Sequence, residues 1–224
     1  MTKAFASGIE QATPLLRAAR IVPVIVIDDP EDAVPLARAL IAGGLSCAEI
    51  TFRTAHAAEA ISRITAEVPD LFVGAGTVLS PVLAATAWDA GARFIVAPGF
   101  NPRVVDYCIA QGMPVYPGIC TPTELEAALE KGLTTVKFFP AEPSGGLAFL
   151  KAMAAPYGDV SFMPTGGINL GNVATYLAYN RVVACGGSWM APAEWISGKQ
   201  FDRIQGESRR AADVAQGKPQ GVIV

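Results

Sequence analysis

The sequence predicts an α/β protein of one domain, a (β/α)8 barrel spanning residues 1–224. Eight short apolar runs rich in β-forming residues alternate with longer segments of helical composition. The runs begin about 20 to 26 residues apart, the length of one strand, one helix and two short loops. They are IVPVIVI (21–27), SCAEIT (46–51), LFVGAGT (71–77), RFIVAP (93–98), PVYPGI (114–119), TTVKFF (134–139), VSFMPT (160–165) and RVVACGG (181–187).

Nearly continuous apolar character indicates parallel strands that are buried on both faces. Eight evenly spaced units with no evident linker favour closure into a barrel. The structural alternative is an open doubly wound sheet. We prefer the barrel because the chain carries no dinucleotide-binding fingerprint.

The segments between the runs carry helix start and stop signals. Asp29–Pro30 and Ser80–Pro81 each place proline early in a helix. Thr121 and Glu124 have the spacing of a capping box, and Gly132 ends that helix. We also expect an N-terminal helix at about 7–19, and a polar C-terminal helix and tail at about 199–224.

Composition excludes several classes of protein. Of the 224 residues, 51% are hydrophobic and 17% are charged, which excludes a disordered polyelectrolyte. The net charge of −3 argues against binding to nucleic acid, which needs a basic face. We find no signal-peptide core and no apolar run of about 18 residues, so we expect a cytoplasmic protein without membrane contact.

Cysteine and histidine usage argues against a metal site. The cysteines are Cys47, Cys108, Cys120 and Cys185, and none forms a CxxC pair. All four lie in apolar stretches, so we expect buried, reduced thiols. His56 is the only histidine and has the setting of a helix-surface residue, so a histidine-rich metal site is excluded.

Lys137 is the strongest functional signal. Of the six lysines, it alone lies inside an apolar run, TTVKFF. Burial disfavours the ammonium form and lowers a lysine pKa, and a neutral lysine attacks carbonyls to form a Schiff base. The alternative is a lysine that pairs with a carboxylate for purely structural reasons.

Glu49 is the natural companion of Lys137. It lies near the end of the second run, and Arg53 follows in the next loop. Side chains of the second and sixth strands of a barrel point into one lumen, so Glu49 could approach Lys137 and act as a general acid/base. A structural ion pair with Lys137 or Arg53 is the alternative.

Two glycine pairs mark a candidate phosphate site. Gly166–Gly167 follows the seventh run, and Gly186–Gly187 with Ser188 ends the eighth. Barrels often bind phosphate after strands seven and eight, because glycines let backbone N–H groups approach the phosphate oxygens. Thr77 and Pro98 also stand at strand ends, where they border the barrel mouth.

The motifs VPVIV, GAGTVL, PGI, KFFPAE, PTGGI and GGSW resemble, in order and spacing, those of the KDPG/KHG aldolases, the aldolases of the Entner–Doudoroff pathway. KDPG is 2-keto-3-deoxy-6-phosphogluconate, and KHG is 4-hydroxy-2-oxoglutarate. The resemblance covers about residues 10–205. It implies a homotrimer of (β/α)8 barrels that cleaves phosphorylated 2-keto acids through a lysine imine, with no cofactor and no metal.

The resemblance also implies residue roles. Lys137 would form the Schiff base and Glu49 would be the general acid/base. Arg53 and Thr77 would contact the pyruvyl carboxylate and nearby oxygens. The remaining substrate-binding residues would be Pro98 and Phe139 in the pocket wall, with Thr165, Gly166, Gly167, Gly187 and Ser188 toward the phosphate. Some family members have arginine in the first strand where this chain has Val26, so no phosphate role transfers to that position.

Three other functions are compatible with the motifs. The substrate could be the C4 epimer, 2-keto-3-deoxy-6-phosphogalactonate, since one hydroxyl configuration depends on loop geometry. A phosphate-binding isomerase or synthase would use Glu49 as its base and form no imine. A non-catalytic barrel would bind phosphorylated sugar acids without turnover.

Overall fold

Parallel strands and helices alternate along the chain, as the sequence predicts. The computed structural model describes residues 3–218. The strands are β1 (Ile21–Ile25), β2 (Cys47–Thr51), β3 (Phe72–Gly76), β4 (Ile95–Val96), β5 (Val115–Tyr116), β6 (Gly118–Ile119), β7 (Thr135–Phe138), β8 (Ser161–Pro164) and β9 (Cys185–Gly187).

Helices follow the strands along the chain, and α1 precedes the first strand. They are α1 (Lys3–Ala19), α2 (Ala33–Ala42), α3 (Ala57–Glu67), α4 (Pro81–Asp89), α5 (Pro102–Gln111), α6 (Pro122–Glu130), α7 (Gly146–Ala154), α8 (Val173–Leu177), α9 (Ala193–Ser197) and α10 (Phe201–Ala215). Ser80 caps α4, and Thr121 with Glu124 forms the predicted capping box of α6. Asp29 caps a 3₁₀ turn, Pro30–Asp32, that leads into α2.

The strands form a closed ring, which confirms the predicted barrel. Hydrogen bonding orders them β5-β4-β3-β2-β1-β9 and β6-β7-β8, all parallel. Bridges from Phe162 to Val182 and from Thr165 to Gly186 join β8 to the last strand. β5 and β6 are two halves of the predicted fifth strand, separated at Pro117, which has no N–H for the ladder.

α1 closes the amino-terminal end of the barrel. Leu16 and Ala12 from this helix pack with Phe94 and Tyr116 in the barrel interior. The Tyr116 and Thr13 hydroxyls are 2.9 Å apart. α1 begins at Lys3, before the predicted start at residue 7. Since α1 fills this end, functional side chains are expected at the carboxyl end of the strands.

Three further expectations can be compared with the structure. Cys47, Cys108 and Cys185 are buried, and burial raises the pKa of Cys108 to about 12. The expectation of burial is wrong for Cys120, which is half-buried beside Ser144, because it lies in the loop after β6 rather than within a strand.

Across residues 3–218, no helix is long and apolar enough to cross a bilayer. The C-terminal helix is α10, and residues 219–224 of the predicted tail lie outside the described residues.

Candidate active site

Lys137 and Glu49 meet inside the barrel. Lys137 lies on β7 and Glu49 on β2, strands that are not neighbours in the ring. Their side chains are 6% and 3% exposed, and Lys137 Nζ is 3.4 Å from Glu49 Oε1. Each charge therefore finds its partner across the lumen, and removing either one leaves the other buried and uncompensated. The predicted approach of the two side chains is confirmed.

Gly76 makes room for the Glu49 carboxylate. β2 and β3 pair in register, with Thr51 beside Gly76. A Cβ atom at Gly76 would lie 1.9 Å from Glu49 Oε1, a distance that real Cβ atoms do not adopt. The Glu49 carboxylate thus packs directly against the Gly76 backbone, and this contact sets the direction in which Glu49 extends toward Lys137.

Two further side chains define the surroundings of the pair. The Phe139 ring centroid lies 5.4 Å from Lys137 Nζ, within range of a cation–π contact. Cys47 lies two positions before Glu49 on the same strand and is fully buried. Burial, with a smaller contribution from the Glu49 charge, raises the pKa of the Cys47 thiol well above its usual range. The Cys47 thiol therefore keeps its proton near neutral pH and is a poor nucleophile.

A cavity of about 330 Å³ opens at the carboxyl end of the strands. It brings together most of the predicted substrate-binding residues, from loops that are distant in sequence. They are Arg53, Phe139, Thr165, Gly166, Gly167, Gly187 and Ser188. Because Phe139 lines the cavity and also stacks near Lys137 Nζ, it connects the cavity to the buried pair.

The loop that carries Arg53 is tied to β1. Thr51 Oγ1 donates to the Ile25 carbonyl at 2.7 Å, and Thr54 Oγ1 donates to the Ile27 carbonyl at 2.6 Å. Arg53 itself is exposed and makes no ion pair with any residue between 3 and 218. The alternative in which Arg53 pairs with Glu49 is wrong, and the guanidinium remains available to a ligand anion.

Thr77 and Pro98 do not line this cavity. Both are half-buried and follow β3 and β4 at the same end of the barrel. Thr77 directly follows Gly76 and has a φ of 57°, in the left-handed region that few non-glycine residues adopt. A Cβ at Gly118 would lie 2.1 Å from the Pro98 carbonyl oxygen, so this glycine lets the strands approach closely.

The two predicted phosphate loops both contain glycines that another residue could not replace without strain or collision. Gly166 and Gly167 have φ values of 99° and 79°, which glycine adopts without strain. The side-chain amides of Asn169 and Asn172 donate to the Gly167 carbonyl, at 3.2 and 3.0 Å. At the neighbouring strand end, a Cβ at Gly187 would lie 2.0 Å from the Trp189 ring. Both loops thus depend on glycine.

Several lining residues were not predicted from the sequence. Val24 and Val26 contribute apolar surface from the β1 side. The segment that follows β9 adds Ala191, Pro192, Ala193 and Glu194, where the short helix α9 begins. Pro192 shortly before Glu194 is a helix-start pattern that could have revealed this element. Ile168 completes the wall.

Comparison with known proteins places this geometry in one family. Residues 12–206 match the family model described as "Aldolase: KDPG and KHG aldolase". A 2-dehydro-3-deoxy-phosphogluconate aldolase of Treponema pallidum is 53% identical over 89% of this chain and 95% of its own length. A KHG/KDPG aldolase of Escherichia coli is 43% identical over 92% of this chain and 96% of its own length. One similar solved structure is a KDPG aldolase of Legionella pneumophila with pyruvate captured as a covalent carbinolamine. It superimposes on this chain with a TM-score of 0.85 at 38% identity, and the match covers 88% of this chain and 96% of the Legionella chain.

The seat of the Glu49 carboxylate can be tested by filling it. We expect Gly76→Ala to lower the free energy of unfolding by about 1–3 kcal/mol, since the added methyl group collides with Glu49 Oε1. Gly158→Ala is the matched control, because a Cβ there meets nothing within 4 Å, and its effect should stay below about 0.5 kcal/mol. Urea denaturation measures both variants. Equal stability of the two would show that the carboxylate does not occupy this seat.

Proposed function

The chain belongs to the KDPG and KHG aldolase family, and we propose that it cleaves its substrate through an imine on Lys137, with Glu49 as general acid/base. The preferred substrate is 2-keto-3-deoxy-6-phosphogluconate, and the products are pyruvate and glyceraldehyde 3-phosphate. The observation that carries this proposal is the buried contact between Lys137 Nζ and Glu49 Oε1, at 3.4 Å, beside a cavity with glycine loops at its rim.

Imine formation needs a neutral amine and a nearby group that moves protons. When Glu49 accepts a proton from Lys137 Nζ, the amine nitrogen attacks the C2 carbonyl carbon of the substrate. The resulting carbinolamine loses its hydroxyl as water, with Glu49 returning the proton to the leaving oxygen. The product of these steps is an iminium joining C2 to Nζ. These steps require one carboxylate that reaches both the amine and the oxygen on C2, and the 3.4 Å distance from Lys137 Nζ to Glu49 Oε1 supports the first of these two contacts.

Cleavage then follows from the positive charge on the iminium nitrogen. Glu49 takes the proton of the C4 hydroxyl, the C3–C4 bond breaks, and its electron pair flows into the iminium. Glyceraldehyde 3-phosphate leaves, and an enamine of pyruvate remains on Lys137. Protonation at C3 and hydrolysis release pyruvate and restore the amine. The covalent carbinolamine of pyruvate in the Legionella pneumophila relative supports the covalent attachment of pyruvate in this scheme.

Substrate orientation follows from the polarity of the cavity. In this proposal Arg53, exposed and without an ion pair among the described residues, binds the substrate carboxylate. The Thr77 hydroxyl, which follows β3 at the same end of the barrel but outside the lining of this cavity, contacts the nearby oxygens. Gly166, Gly167, Gly187 and Ser188, with the Thr165 side chain behind them, receive the phosphate at the other end. Phe139 packs between the two ends and, with Pro98, shields the reacting carbons from water.

The proposal includes 4-hydroxy-2-oxoglutarate as a second substrate, cleaved to pyruvate and glyoxylate. It shares the 2-keto acid part of the larger substrate, so the same lysine and carboxylate serve both. The relative from Escherichia coli is named for both activities. Assembly as a homotrimer and a cytoplasmic location complete the proposal, and these rest on the family resemblance and on the sequence.

Variants of the buried pair test the catalytic roles. We expect Lys137→Ala to reduce turnover more than about 10³-fold, because Lys137 is the only lysine between residues 3 and 218 that is buried in the barrel interior. Glu49→Gln should lose about 10²–10⁴-fold, since an amide cannot carry protons, while some imine formation remains. A coupled lactate dehydrogenase assay measures pyruvate release. Lys131→Ala is the control, because that lysine pairs with Asp106 on the outside of the barrel.

The same assay separates the proposed function from its competitors. Substantial pyruvate release by Lys137→Ala would contradict the imine and favour a barrel enzyme with Glu49 as its base. A higher kcat/KM for 2-keto-3-deoxy-6-phosphogalactonate than for the gluconate would assign the chain to the C4 epimer. Binding without release of pyruvate by the unmodified protein would indicate a non-catalytic barrel.

Independence from metal is a separate prediction. Between residues 3 and 218, no three His, Cys, Asp or Glu side chains group as a metal-ligand set, and the iminium supplies the polarisation that a metal would otherwise provide. We expect exhaustive dialysis against EDTA to leave kcat/KM within about twofold of its starting value. A loss of activity that added divalent metal restores would contradict the proposed mechanism.

A further inference from the structure

Glu142 lies directly behind the glycine loop that borders the cavity. Its backbone N–H donates to the Gly166 carbonyl at 3.0 Å. The Glu142 side chain also packs against Gly167, because a Cβ at Gly167 would lie only 2.5 Å from Glu142 Cβ. Glu142 does not line the cavity, so it contacts the loop and not the contents of the cavity.

The Glu142 carboxylate is itself held from α8. The Tyr176 hydroxyl donates to Glu142 Oε1, and Tyr176 is 2% exposed. Burial, together with the hydrogen bond to the carboxylate, raises the pKa of Tyr176 far above its usual range, so the phenol keeps the proton that it donates. Gly146 leaves room for this contact, since a Cβ there would lie 3.1 Å from Glu142 Oε1.

The loop is therefore held from both sides. Asn169 and Asn172 bind the Gly167 carbonyl on one side, and Glu142 supports Gly166 and Gly167 on the other. Two successive glycines with positive φ have no side chains of their own to restrict them and lose more conformational entropy on ordering than other residues. The order of this loop must therefore come from its neighbours.

We propose that Glu142 and Tyr176 are positioning residues that hold the Gly166–Gly167 backbone in the conformation that binds the substrate phosphate. The proposal rests on the function proposed above. It assigns the pair an effect on phosphorylated substrates and none on imine chemistry, because neither residue contacts Lys137 or Glu49. This role depends on the shape of the Glu142 side chain and on its acceptor oxygen. The negative charge of Glu142 lies behind an anion site and therefore weakens phosphate binding.

The test compares kcat and KM for a phosphorylated and a non-phosphorylated substrate. We expect Glu142→Ala to raise KM for 2-keto-3-deoxy-6-phosphogluconate roughly tenfold, the equivalent of one lost hydrogen bond to a charged group. KM for 4-hydroxy-2-oxoglutarate, which lacks a phosphate, should change less than about twofold. Tyr176→Phe should act in the same direction. Glu142→Gln, which retains shape and an acceptor oxygen, should leave KM for the phosphorylated substrate unchanged or lower it.

Glu126 offers a matched control. It accepts a hydrogen bond from the Tyr157 hydroxyl at 2.8 Å, the same chemical pair on an exposed surface. Glu126→Ala should leave both KM values unchanged. Three results would each overturn the proposal. The first is an equal rise in KM for both substrates in Glu142→Ala, and the second is no change in KM in either Glu142→Ala or Tyr176→Phe. The third is an equal rise in KM in Glu142→Gln and Glu142→Ala.

A second readout does not depend on catalysis. Titration of inorganic phosphate, followed by the backbone amide signals of Gly166 and Gly167, should show weaker binding in Glu142→Ala than in the unmodified protein. Unchanged phosphate affinity would overturn the proposal. If the unmodified protein cleaves neither substrate, the proposed function fails, and the phosphate titration still decides whether Glu142 positions the loop.

Discussion

The contact between Lys137 and Glu49 is the constraint on which the rest of the site depends. An ammonium and a carboxylate are each costly to bury, and the barrel tolerates them because β7 and β2 aim them at one another across the lumen. Because Gly76 has no side chain, the Glu49 carboxylate fits against its backbone, and the Phe139 ring lies over the Lys137 amine. In the proposed mechanism, the same enclosure keeps the two groups that exchange protons in contact with each other.

The proposed mechanism assigns chemistry and recognition to different parts of the barrel. Lys137 and Glu49 lie on strands, where backbone hydrogen bonds fix their geometry, whereas the cavity rim includes loops that depend on glycine. Such loops approach an anion closely but do not order themselves. The Asn172 side-chain amide donates to the Gly167 carbonyl, and Tyr176 holds Glu142 behind the same loop. On the proposal above, changes in these supporting residues alter the choice of substrate and leave the imine chemistry unchanged.

Much of this arrangement could be predicted from the sequence because apolar runs interrupted by a charge are rare. Lys137 and Glu49 stood out for that reason, and the spacing of the runs predicted the ring. Three features could not be predicted with the same ease: the break at Pro117, the incomplete burial of Cys120 and the contribution of α9 to the cavity. They depend on register and loop packing, which no local pattern encodes. The support that Glu142 gives the glycine loop is likewise a contact between distant segments.

The most direct test of the central claim is chemical capture of the intermediate. Sodium borohydride reduces an imine to a stable secondary amine, so treatment in the presence of pyruvate should add the mass of a reduced pyruvyl group to one peptide. The account predicts that this adduct maps to Lys137 and is absent from Lys137→Ala. An unmodified Lys137 in protein that releases pyruvate from the substrate, or an adduct on another lysine, would contradict the account.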